Sequence, residues 1–105
     1  EFPNTNFICG HYSSRLDGLL KELPNVYTNI WNLGSLGFLE RGIRHVGPEK
    51  FLFGSDAFMN PISVGIGMVV YADIPDEQKE LILGLNQARL LDEVGAMPES
   101  LKNRY

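Results

Sequence analysis

Phe51-Leu52-Phe53-Gly54-Ser55-Asp56 decides how this chain is read. Three apolar residues in a row give a short strand buried on both faces, and it stops abruptly at a glycine, a serine and a carboxylate. In a parallel α/β sheet, chemistry gathers where strands finish, because the loops there vary while the sheet holds them in place. A second run, Asn6-Phe7-Ile8-Cys9-Gly10, finishes in the same manner at His11. Imidazole on one strand tip and carboxylate on another are the ingredients of a metal or general-base site.

Working outward, strands and helices alternate. The first strand covers residues 6–11. Ser13 or Ser14 caps a helix whose Leu16, Leu19, Leu20 and Leu23 share one face, and Pro24-Asn25 stops it. A second strand, residues 26–31, is rich in β-branched and aromatic side chains. Ser35 caps the next helix, which turns Leu36, Leu39, Ile43 and Val46 inward and closes at Gly47-Pro48. The third strand, residues 51–55, is followed by a loop and an apolar helix from Ile62 to Ala72, weakened by Gly65 and Gly67. Pro75 opens the last helix with Asp76 and Glu77 at its positive end, and a kink is expected at Gly84. The tail after Pro98 reads as frayed.

This rhythm demands a parallel sheet with right-handed crossovers. With three strands the sheet cannot close into a barrel, so both outer strands are expected to expose unpaired backbone groups. Period-two geometry predicts strand order 1-2-3, helices on one face, and Cys9, His11, Leu52, Gly54 and Asp56 on the other.

Composition narrows the partners. The 105 residues are 44% hydrophobic and 21% charged, with nine basic and thirteen acidic side chains for a net charge of −4. That suits one globular domain and offers no basic patch for nucleic acid. The longest uncharged stretch, Ala57 to Ala72, is broken by Asn60, Pro61, two glycines and a serine, so no membrane span is expected. A lone Cys9 and the lack of a signal-like start point to the cytoplasm. A first residue of Glu1 rather than Met suggests that sequence is missing upstream.

Four blocks then point to a family: Phe2-Pro3-Asn4 with Phe7-Ile8-Cys9-Gly10-His11, Leu23-Pro24-Asn25-Val26-Tyr27, Phe53-Gly54-Ser55-Asp56, and Ile82 to Leu91. Their order and spacing resemble the amidohydrolase-related metal-dependent hydrolases, (β/α)8-barrel enzymes that include the amino-carboxymuconate-semialdehyde decarboxylase group. The resemblance implies a partial TIM barrel at residues 1–95, three parallel βα units matching the sixth to eighth strands, with a tail at 96–105. It implies His11 and Asp56 as catalytic and metal-binding residues, with His11 a ligand or an acid/base beside metal-bound water. Asp56 would bind the metal and take a proton from that water. The cofactor implied is a divalent metal, Zn2+ first, and the partner a small carbonyl- or carboxylate-bearing substrate. The family's remaining ligands, a His-x-His on the first strand and a histidine on the fifth, have no counterpart here. Tyr12-Ser13-Ser14 also stands where many relatives have glycines.

Plainer readings exist for His11, as a solvated strand-end histidine, and for Asp56, as a helix cap or turn residue, and they attach to the other residues as well. Cys9 is expected as a buried thiol, since no basic neighbour activates it. His45 suits a helix C-terminus. Asn86 and Arg89 serve packing or substrate contact, Trp31 and Asn32 the pocket or its rim, and Met68 and Tyr71 the core. Two functions compete: part of a metal-dependent hydrolase or decarboxylase, inactive by itself, and a half-barrel that binds or oligomerises through its open edges. A homo-oligomer is expected under either. A small nucleotide-binding domain is discounted, because no glycine-rich loop follows the first strand.

Overall fold

A computed structural model describes residues 2–31 and 37–104. Three parallel strands, β1 (Phe7–Cys9), β2 (Val26–Asn29) and β3 (Phe51–Leu52), lie in the order β1-β2-β3. Each strand is shorter than expected, although the Ile30 N–H still donates to the Leu52 carbonyl at 3.0 Å beyond the end of β2. Between the strands run α1 (Asp17–Glu22), entered through a 3-10 turn at Ser14–Leu16, and α2 (Phe38–Val46). After β3 come α3 (Ile62–Val70), α4 (Asp76–Glu80) and α5 (Asn86–Glu93), the last two joined by a π-helical turn at Leu81–Leu85. That turn contains Gly84, where the irregularity was expected.

The core is built on the helix-facing side of the sheet. Leu20 from α1, Leu39 and Ile43 from α2, Val69 from α3 and Ile82 from the π-turn close on Val26, Ile30 and Phe51. Helix α2 lies so close that a Cβ at Gly42 would stand 2.8 Å from the Phe51 ring and 2.9 Å from that of Tyr12. Gly65 has a similar reason to be in α3, since its Cβ would meet the Phe53 ring and the Gly54 carbonyl at 3.3 Å. Gly47 ends α2 at φ 101 with Pro48 after it, as the sequence requires. Thr28, fully buried on β2, satisfies its hydroxyl on the Cys9 carbonyl at 3.0 Å.

Several expectations fail, each for a physical reason. Leu19 and Leu23 are each 41% exposed, because α1 is under two turns long and Leu23 has already left it in an extended conformation. Ser13 precedes the 3-10 turn without making a side-chain cap bond. Ser35 and Leu36 lie outside the described residues. Tyr71 is 89% exposed just past the end of α3, so it is no core residue. The tail forms a 3-10 turn at Glu99–Leu101, tied by Lys102 to Glu99.

The largest correction concerns faces. The register sets Ile8 beside Tyr27, Cys9 beside Thr28, Thr28 beside Phe51 and Asn29 beside Leu52. Laterally paired residues share a face, so Cys9 and Leu52 lie on opposite sides. Cys9 packs against the helix-side core. Leu52 is on the other side, and even there it is covered, because Leu90 of α5 packs against it and Tyr27. The helices therefore do not keep to one face.

Helix α5 also covers an edge that was expected to be open. Leu52 turns its carbonyl toward β2, so those of Phe51 and Phe53 point outward. The Asn86 side-chain amide donates to Phe51 O and Pro48 O, both at 2.9 Å, and Gln87 donates to Phe53 O at 3.3 Å. The β1 edge has no such cover among the described residues, and Phe7 and Ile8 are 45% and 58% exposed.

Candidate active site

The carboxyl ends of β1 and β3 open onto a shared cleft of about 560 Å³. His11 and Asp56 both line it, with Tyr12, Ser13, Trp31, Met59 and Asn60. The two expected site residues, more than forty positions apart in sequence, thus meet on one surface, and both are exposed to it. Trp31 is buried and contributes an apolar wall. Asn32 lies outside the described residues.

Both residues leave their strands by the same device. His11 and Asp56 each have φ 54, in the left-handed region. Histidine and aspartate enter that region more readily than most residues, at a cost of about 1 kcal/mol or more. Period-two alternation stops at such a residue, which explains why parity counted back from His11 puts Cys9 on the wrong side while the tips still converge. After Asp56 the chain turns tightly, and the Asp56 carbonyl accepts the Met59 and Asn60 amides, each at 3.1 Å. His11 is held by Asn29, whose Oδ1 accepts the His11 N–H at 2.9 Å.

Beneath the cleft lies a polar cluster that sequence reasoning missed. The Tyr12 hydroxyl donates to Asp17 Oδ1 at 2.6 Å, while Arg41 donates to the Tyr12 hydroxyl at 3.2 Å and to Asp17 Oδ2 at 3.0 Å. Burial pushes the Tyr12 phenol up to about 12, aided by its bond to Asp17. The Asp17 carboxylate raises the Arg41 guanidinium further above its usual range. The cluster ties the residue after His11 to α1 and α2. Its one sequence signal was Tyr12, a large side chain directly after His11.

Other candidates resolve to structural work. His45 is exposed in the last turn of α2, with Nδ1 2.9 Å from the Arg41 carbonyl. Arg89 pairs with Glu93 at 3.2 Å and stands over the Tyr27 ring at 5.8 Å. Lys50 donates to the carbonyls of Leu23, Pro24 and Val26, and burial lowers its ammonium pKa, with Arg89 adding to the effect. Cys9 is a half-buried free thiol.

The donor set tests the implied metal. A catalytic zinc site needs about three protein ligands. His11 and Asp56 supply two, and no group of three His, Cys, Asp or Glu side chains suited to a metal occurs among the described residues. The described residues therefore do not make a complete metal site.

Parallel strands with helical crossovers, and with His11 and Asp56 beyond the carboxyl ends of two of them, make an α/β fold of the kind that carries enzyme active sites at its strand ends. The amidohydrolase family model matches residues 1–92, through nearly all of α5, and the chain belongs to that family. Neither a curated protein nor a solved structure matches it significantly. The family is one of hydrolase-type enzymes.

Proposed function

We propose that this chain forms one side of a (β/α)8-barrel active site, with β1, β2 and β3 as its sixth, seventh and eighth strands. The observation that carries the reading is the shared cleft of His11 and Asp56, each turned out of its strand tip at φ 54. The substrate class is a small molecule bearing a carbonyl or carboxylate group. Asp56 acts as the base that takes a proton from the attacking water. His11, across the cleft, exchanges a proton with the substrate oxygen and stabilises charge there. Trp31 excludes water on one side and orients the substrate.

A divalent metal, Zn2+ in the first instance, completes such a centre only with donors beyond His11 and Asp56. The chain by itself is then expected to have little hydrolase or decarboxylase activity. Calorimetric titration with zinc and with cobalt tests this. The expected result is weak binding that both Asp56→Ala and His11→Ala abolish. Tight binding at one equivalent would show a self-sufficient site, and weak binding indifferent to both substitutions would remove the pair from the site.

A second reading, a binding or oligomerising module, is favoured by the sheet's open side. There Ile8, Leu52, Leu90, Leu91 and Val94 line a groove of about 680 Å³ beside the uncovered β1 edge. An apolar face next to an open edge favours self-association, with a closed symmetric assembly the usual outcome. Sedimentation equilibrium at micromolar concentration distinguishes a homo-oligomer from a monomer of 11.8 kDa. A reducing, cytoplasmic setting is proposed from the free Cys9. No helix among the described residues is long and apolar enough to cross a membrane.

A further inference from the structure

Asn29 ends β2, the strand lying between those that carry His11 and Asp56. Its side-chain Oδ1 accepts the His11 N–H at 2.9 Å. Its backbone carbonyl accepts the next amide, that of Tyr12, at 3.1 Å. One residue thus grips the chain on both sides of the left-handed His11. The same side chain fills the space above Gly54, where a Cβ would lie 3.0 Å from Asn29 Cβ and 3.1 Å from Cγ. Gly54 stands two residues before Asp56, so Asn29 is wedged between the two strand tips.

A left-handed histidine persists only where its surroundings hold it. Without the Asn29 acceptor, the His11 amide must turn to water, and its φ is free to relax toward the extended region. The imidazole would then swing relative to Asp56. We propose that Asn29 is a positioning residue that sets where the His11 imidazole stands relative to Asp56, and that glycine at 54 is the slot its side chain requires. The site's chemistry rests on the function proposed above, whereas the positioning is tested without any activity.

Amide hydrogen exchange by NMR on the whole chain reads this directly. Asn29→Ala should lower His11 protection about five-fold, the worth of one hydrogen bond of ordinary strength. Tyr12 serves as the internal control, because its partner is the Asn29 backbone carbonyl and survives the substitution. Asn29→Asp keeps an acceptor and should restore His11 protection. Gly54→Ala should reproduce the loss by displacing Asn29, and adding it to Asn29→Ala should lower His11 protection little further, because the acceptor is already gone. The His11 ring Cε1 shift should move with the amide in each variant. Unchanged His11 exchange in Gly54→Ala and Asn29→Ala would overturn the proposal. So would equal losses at His11, Tyr12 and the β2 amides that Asn29→Asp does not restore. Should Asn29→Ala not fold, Gly54→Ala and Asn29→Asp decide alone. If the exchange pattern holds while His11→Ala and Asp56→Ala leave metal binding unchanged, the positioning stands and the proposed function fails.

Discussion

Replacing Asn86 by alanine should destabilise the fold by about 2–3 kcal/mol, more than its place on a surface helix suggests. Asn86 is 1% exposed and donates two 2.9 Å hydrogen bonds, to Phe51 O on the outer edge of β3 and to Pro48 O in the turn before it. Two such bonds contribute about 2 kcal/mol together, and leaving the edge carbonyl buried and unmet costs about 1–3 kcal/mol more. Two effects oppose this. The Asn86 Oδ1 is itself buried with no hydrogen-bond partner among the described residues, so removing it returns about 1 kcal/mol. Alanine also favours the helix by about 0.5 kcal/mol. The balance remains a loss, because two satisfied donors and a stranded carbonyl outweigh one orphaned acceptor. The single, buried Trp31 reports unfolding by fluorescence. At a urea m-value of about 1.5 kcal/mol per M, the midpoint should fall by about 1.5 M. Asn86→Asp should be worse, since a carboxylate would face two carbonyls. Gln87→Ala, whose bond to Phe53 O is longer and exposed, should stay within about 0.5 kcal/mol of the parent. A loss below 0.5 kcal/mol for Asn86→Ala, or an equal loss for Gln87→Ala, would refute the claim that this helix seals the β3 edge.

Other consequences are as direct. With its phenol pushed up to about 12 by burial, Tyr12 keeps a proton that the unfolded chain sheds near its ordinary value of 10. Its contribution of about 2–3 kcal/mol is therefore complete below pH 10 and disappears as pH rises to 12. Urea midpoints from pH 8 to 12 should fall less steeply in Tyr12→Phe, and an unchanged slope would detach Tyr12 from alkaline unfolding. Glycine suits the φ of 54 at position 11, so His11→Gly should keep or raise stability by up to about 1 kcal/mol. A clear thermal destabilisation would mean that the imidazole packs rather than serves the cleft. Gly42→Ala places a Cβ 2.8 Å from the Phe51 ring, and crowding of about 1–3 kcal/mol should outweigh the roughly 1 kcal/mol gained in helix propensity. A more stable Gly42→Ala, measured by urea melts, would show that α2 has room to shift.

What the sequence disclosed followed from local chemistry. Proline and glycine stops, apolar runs and the βα rhythm were enough for parallel strands in the order of the chain. The strand tips stood out because a histidine and an aspartate follow apolar runs in a βα rhythm, where chemistry gathers at strand ends. Which face each strand residue takes was not legible, because parity along one strand says nothing about its register against the next. Counting by twos from His11 back to Cys9, and from Asp56 back to Leu52, assumes that both tips continue their strands. The left-handed turn at His11 breaks the first count, so Cys9 went to the wrong side of the sheet, whereas Leu52 lies on the side the second count gave it. The cover over the β3 edge was hidden for a related reason. Asn86 in a helical pattern reads as an ordinary polar position, and only its distance to Phe51 O shows that it meets a carbonyl on the outer edge of β3. The Tyr12, Asp17 and Arg41 cluster lies equally beyond a linear reading, since its members come from three separate elements. Strand ends can be read from sequence, whereas the contacts that fix their angles belong to the packed state. That is why His11 and Asp56 could be picked out as strand tips, and Asn29, wedged between them, could not.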